Sequence, residues 1–152
     1  MDTSRLQRNE YIAMVGGLLL VISLFVKWYE ARPENANANI DGQRGTLSGW
    51  EVHGLMRWLL LAAALAPFIL AYIIATDKQL SWARGEMTAV VGIAAFGLIL
   101  YSGIIDRPGE PSGEIELELG WYGAFLGSIL MIVGAAIRSS DVERARKPPG
   151  TI

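Results

Sequence analysis

Residues Trp58 to Thr76 read WLLLAAALAPFILAYIIAT, an uncharged run that decides the fold class. As a helix it is long enough to cross a hydrocarbon core of roughly 30 Å, which takes about 20 residues. Three further uncharged stretches occur on either side of it, Tyr11 to Val26, Met87 to Ile105 and Leu119 to Ile137. None holds an acid, a base or a cysteine. With their amphipathic end residues the expected spans are 11–28, 56–76, 87–105 and 119–137. The loops 29–55 and 106–118 then lie on one side and the short connection 77–86 on the other. The expected fold class is all-α membrane: a four-transmembrane-helix bundle with a small extracytoplasmic β-sheet from the outer loops. Residues 1–152 are expected to form one integral membrane domain.

Composition agrees. Hydrophobic residues make up 52% of the chain, above the 45–50% usual for a soluble domain, and they are gathered into runs. A net charge of -2 argues against nucleic acid as a partner. The absence of cysteine removes disulfides, thiolate metal sites and cysteine nucleophiles. Arg5 and Arg8 before the first apolar run resemble the start of a signal peptide. Asp2 and Glu10 break that pattern, and Lys27-Trp28-Tyr29-Glu30 offers no small-residue cleavage site, so the run is expected to stay as a first span. The excess of arginine over lysine, with abundant Ala and Gly, points to a GC-rich bacterial source.

Charge sets the expected orientation. An even number of spans puts both termini on one side, with Arg5, Arg8, Lys78, Arg84, Arg138, Arg144, Arg146 and Lys147. The other side has Arg32, Arg44 and Arg107, plus Lys27 and Arg57 at span ends. Basic residues near span ends favour the cytoplasm, so the protein is expected in the cell membrane with both termini cytoplasmic. Aromatic residues mark the expected headgroup levels: Trp28, Tyr29, Trp50, Trp58, Tyr101, Trp121 and Tyr122 outside, Tyr11, Tyr72 and Trp82 inside. Lys27 and Arg57 are expected to extend their charged heads outward to water.

Lipid tails are as apolar as leucine, so the spans need small residues to pack. Span four offers Gly123 and Gly127 in a GxxxG, and span three offers Gly92 and Gly97. These faces are expected to pack within one bundle, with a dimer seam as the sharper alternative. Pro67 removes a backbone donor in mid-span and is expected to adjust packing there.

In the outer loops, Thr46 to Val52 reads as a strand after the turns Asp41-Gly42 and Arg44-Gly45. Glu114-Ile115-Glu116-Leu117-Glu118-Leu119 alternates with period two, which places three glutamates on one face and three apolar residues on the other. The acidic row is expected to be a solvated face, with a docking surface for a basic partner as the functional alternative.

Four spans, cytoplasmic termini, a larger first outer loop and a strand in the second resemble the claudin and peripheral myelin protein architecture. Claudins carry a tryptophan at the end of span one and a Gly-Leu-Trp downstream; here stand Trp28 and Ser48-Gly49-Trp50. A claudin arginine near the start of span two has its counterpart in Arg57. The paired cysteines of claudins are absent and the first loop is shorter. The chain also resembles small four-span membrane proteins of actinobacterial type.

Catalytic motifs are missing. Glu51 and His53 are the only acid–histidine pair; on a strand they would share a face, but two ligands are too few for a metal site. There is no HExxH, glycine-rich phosphate loop or nucleophile elbow. No catalytic residue, cofactor or metal is expected. Without ionisable residues inside the spans, ion transport is disfavoured. The expected function is that of a structural or accessory tetraspan protein making lateral or extracytoplasmic protein contacts. Its candidate interaction surface is Trp28, Trp50, Glu51, His53, Arg57, Glu114, Glu116 and Glu118. Expected partners are membrane lipids and another membrane protein or a second copy. The alternative is a lipid-handling protein or membrane enzyme with a site at the outer interface, near Glu51, His53 and Arg57.

Overall fold

In a computed structural model, residues 6–76 and 85–146 are described, the last nine of these (138–146) by their backbone alone. Arg5, Lys78, Trp82, Arg84 and Lys147, together with the side chains of Arg138, Arg144 and Arg146, lie outside what is described.

Four long helices form the body: α1 (Arg8–Phe25), α3 (Met56–Ala75), α4 (Glu86–Leu100) and α5 (Leu119–Arg146). A π-helical turn, Tyr101–Ile105, prolongs α4. All four helices are long and apolar enough to cross a membrane. The loops that follow α1 and α4 meet at one end of the bundle. There β1 (Lys27–Ala31), β2 (Thr46–Ser48) and β3 (Ile115–Leu117) form an antiparallel sheet of order β2-β1-β3. The short helix α2 (Gly49–Val52) follows β2.

The first expected span, 11–28, is corrected at both ends. At its start Glu10 reaches back to the Gln7 amide (2.6 Å) and closes a capping box, so the helix begins at Arg8. At its end the chain turns extended at Val26, and the Trp28 indole folds back to donate to the Ser23 carbonyl at 2.7 Å. That bond satisfies a carbonyl of the last turn. It also frees residues 27–31 to become the central strand, which the sequence reading had not seen.

Two other elements differ from expectation. The strand foreseen over Thr46–Val52 stops at Ser48, where Ser48 and Glu51 cap one another and start α2. The strand foreseen over Glu114–Leu119 is confined to Ile115–Leu117; Glu114 belongs to a 3-10 turn and Leu119 opens α5. Leu119 is therefore exposed, whereas Ile115 is buried.

Helix packing follows the glycines. α1 lies most extensively along α5. A Cβ at Gly127 would sit 2.7 Å from the Gly16 carbonyl oxygen, and one at Gly16 would sit 2.6 Å from that of Gly127. Gly123 faces Ser23, and Gly134 faces Asn9 and Ala13. On the other side of α1, Gly17 admits the Pro67 ring and the Ala64 carbonyl of α3. Gly92 of α4 packs on Ile132 of α5. Gly97, expected as a packing residue, is exposed and touches nothing, because it faces away from every other helix. The core runs continuously from Met131, Leu20 and Leu60 in the bundle to Tyr29, Ile40 and Ile115 under the sheet.

Candidate functional site

The candidate surface residues gather at the sheet end, and folding separates them into three groups. Trp28 and Tyr29 stand on β1 with no exposed surface. Trp28, Tyr29 and Trp121, expected at a headgroup level, are all buried in the protein core. Trp121 stacks on Phe125, and its indole donates to the Ile99 carbonyl at 2.9 Å. A buried indole N–H needs a partner, and the Ile99 carbonyl, which also accepts from the Ser102 hydroxyl at 3.0 Å, supplies one. Trp58, Tyr101, Tyr122, Tyr11 and Tyr72 do face outward.

The first group is a hydrogen-bonded chain. The Tyr29 hydroxyl lies 3.0 Å from His53 Nε2 and 3.2 Å from the Ser102 carbonyl oxygen. A carbonyl only accepts, so the phenol proton goes to Ser102, and His53 completes the chain by donating Nε2–H to the phenol oxygen. Burial pushes the Tyr29 phenol up to about 12 and the His53 imidazole down to about 4. At neutral pH both are uncharged. The chain ties β1, the segment after α2 and the end of α4 together.

Next to it, Arg57 at the start of α3 is wedged between two indoles. Its guanidinium carbon sits 5.2 Å from the Trp50 ring and 5.7 Å from the Trp58 ring, and Nη1 donates to the Trp50 carbonyl at 3.1 Å. Phe25 stacks on the far side of this group, 5.0 Å from Trp50. The expectation that Arg57 extends outward to water is corrected by this geometry: cation–π contact and the carbonyl hold it along the aromatic surface. Glu51 is exposed, and its carboxylate accepts from the backbone and hydroxyl of Ser48, both at 2.8 Å, which lowers its pKa. Glu51 sits in a helical turn, so the shared strand face proposed for it and His53 does not exist.

The third group replaces the uniform acidic row. Arg32 Nε donates to Glu116 at 2.7 Å, and its Nη1 lies 3.8 Å from Glu114. Glu30 is raised by desolvation and then by its hydrogen bond with Glu118. The row is part ion pair and part acid pair, laid across β1 and β3. Sequence reasoning passed over Arg107, whose guanidinium joins the Gly103 carbonyl (2.9 Å) to the Ile115 carbonyl (2.6 Å) and so fastens the π-helical turn to β3.

At the opposite end, Asn9 and Glu10 of α1 and Thr88 of α4 are buried. With Pro67 and Gly134 they line a cavity of about 10 Å³, the size of one water molecule. The early start of α1 draws Glu10 under its neighbours. The expectation that no acid is buried in the bundle is corrected accordingly. Among the described residues no three His, Cys, Asp or Glu side chains stand close enough to hold a metal ion. The chain matches no protein-family model, no curated protein and no solved structure.

Proposed function

We propose that this is an integral membrane tetraspan protein with a structural or accessory role, its sheet outside and its termini in the cytoplasm, making lateral or extracytoplasmic protein contacts. One observation carries the reading. The ionisable side chains of the candidate surface are engaged in building the cap: His53 with Tyr29, Glu51 with Ser48, Arg57 with Trp50, Arg32 with Glu116. An active site keeps reactive groups aimed at a shared vacant point, and these point into their own neighbours. A rigid cap on an apolar bundle suits presentation to another protein. The claudin-like resemblance enters this proposal as topology, in a chain of actinobacterial type.

The absence of native cysteine provides a clean test of orientation. Gly113, on the exposed 3-10 turn with open space around its Cα, is replaced by cysteine. A membrane-impermeant maleimide should label G113C in intact cells. Labelling only after the membrane is permeabilised would reverse the orientation. Affinity purification from native membranes then tests the contact role, which a strictly monomeric protein with no companion would overturn.

A further inference from the structure

At the end of the bundle away from the sheet, two buried polar side chains are answered by no protein group. Asn9 on α1 is 3% exposed and Thr88 on α4 is 1% exposed. Asn9 Nδ2 and Thr88 Oγ1 have no hydrogen-bond partner among the described residues. A buried amide or hydroxyl left in that condition costs free energy, and native folds pair nearly all such groups. Both residues line the cavity of about 10 Å³. Glu10 lines it too, with one carboxylate oxygen accepting from the Gln7 amide.

The position of this cavity in the fold gives it a role. Ala13 of α1, Pro67 of α3, Thr88 of α4 and Ala135 of α5 all reach it, so every long helix contributes to its wall. α1 and α4 stand on a diagonal of the bundle, each packed chiefly on α3 and α5. Asn9 and Thr88 therefore come from the two helices that direct packing joins least. Small residues hold the space open. Gly134 lets α5 approach α1 closely, because a Cβ there would sit 2.6 Å from the Asn9 carbonyl oxygen.

We infer that this is the binding site of one structural water molecule, which accepts from Asn9 Nδ2–H, pairs with the Thr88 hydroxyl and so ties α1 to α4 across the bundle. Volume sets the size of the ligand, since one water needs about 10–15 Å³ by this measure. A buried water makes about three hydrogen bonds. Glu10 supplies the third, because a carboxylate accepts from several donors at once. Chemistry then selects among small ligands. A chloride ion is larger than the cavity and would face a carboxylate. A sodium ion would meet the positive end of the Asn9 N–H. Water accepts from the amide and donates to the carboxylate. The inference rests on the packing of the four helices and not on orientation or partner, so the labelling of G113C and the experiment below fail independently.

The test uses the full chain in mild detergent and reads the midpoint of thermal unfolding. Thr88→Val keeps the shape of the side chain and removes its hydroxyl. With the water bound, the variant should lose one hydrogen bond and about 2–4 °C. Without it, valine removes an unanswered polar group and should raise the midpoint, so the sign of the shift decides. Asn9→Leu should also lower the midpoint. The double variant should fall by less than the sum of the two, because either change alone releases the same water. A raised or unchanged midpoint in T88V, or strict additivity, would overturn the site. Exchanging sodium chloride for choline chloride should leave the wild type unchanged; saturable stabilisation by sodium would assign the cavity to a cation instead. A crystal structure of the wild type, at a resolution that shows ordered water, decides the matter should the variants not fold. It should place one water oxygen within about 3.2 Å of both side chains, and an empty cavity there would refute the inference.

Discussion

Tyr29 shows how much one side chain decides here. Its ring is fully buried under the sheet, and its hydroxyl joins His53 to the Ser102 carbonyl. Because burial disfavours the charged imidazole, His53 makes the fold respond to acid in a defined direction. Burial holds His53 at about 4, whereas the unfolded chain protonates near 6.5. The unfolded state therefore takes up its proton first, and stability is full above about pH 6.5 and falls as pH drops toward 4. The loss should be on the order of 2 kcal/mol, after allowance for the partial exposure of the ring. Glu30 acts in the opposite sense, since its folded pKa is raised. The comparison that isolates the imidazole is thermal unfolding in detergent of the wild type against His53→Gln across pH 7 to 4.5. The variant should lose most of the slope; an equal slope in both would show that His53 is not the titrating group. The placement of Tyr29 was not legible in the sequence. A phenol at the end of an apolar run suits a headgroup level and a core equally well, and only the strands that cover it decide.

At the scale of elements, α1 and α5 approach through glycines rather than through interlocking large side chains. Gly16 and Gly127 each lie where the other's carbonyl leaves no room for a Cβ. Gly127→Ala should therefore cost about 1–3 kcal/mol, as overpacking does. Gly97→Ala, with nothing within 4 Å, should be neutral or gain up to about 1 kcal/mol from helix propensity. Unfolding in graded denaturing detergent separates the two; equal effects would show that the close approach does not control stability. The sequence marked both positions alike, because a small residue on a helix does not declare which face meets a neighbour. The short helix α2 was more readable than our strand assignment allowed. Ser48-Gly49-Trp50-Glu51 carries the S-x-x-E capping pattern, which outweighs the strand preference of Trp50 and Val52. β1 left no such mark, since Lys27–Ala31 follows the apolar run of α1 with no turn residue between them.

For the molecule as a whole, the outer surface of the bundle is its most telling property. Val15, Leu18 and Ile22 on α1, Leu65 and Ile69 on α3, Val90 and Ile93 on α4, and Leu126 and Val133 on α5 all face outward. A water-soluble monomer rarely exposes contiguous apolar patches beyond a few hundred Å², and this surface is compatible with lipid around the bundle. Alkaline carbonate should leave the protein in the membrane pellet and mild detergent should release it. Recovery in the carbonate supernatant would contradict integral insertion. The polar groups concentrate at the two ends, in the sheet cap and around Asn9, Glu10 and Thr88. This is the distribution expected where the middle of the bundle offers no water to solvate them.

The sequence by itself determined the four long apolar helices and the presence of a strand in the second loop. Those are properties of local runs, set by hydropathy over about 20 residues and by period-two alternation, and they need no partner to be read. Only the tertiary structure decided that β1 is the central strand, that Trp28 and Tyr29 are core, that Gly97 is idle while Gly127 is packed, and that Arg57 is held between Trp50 and Trp58. Each of these depends on which distant residue covers a side chain or answers its charge, and that information exists only once the helices have met.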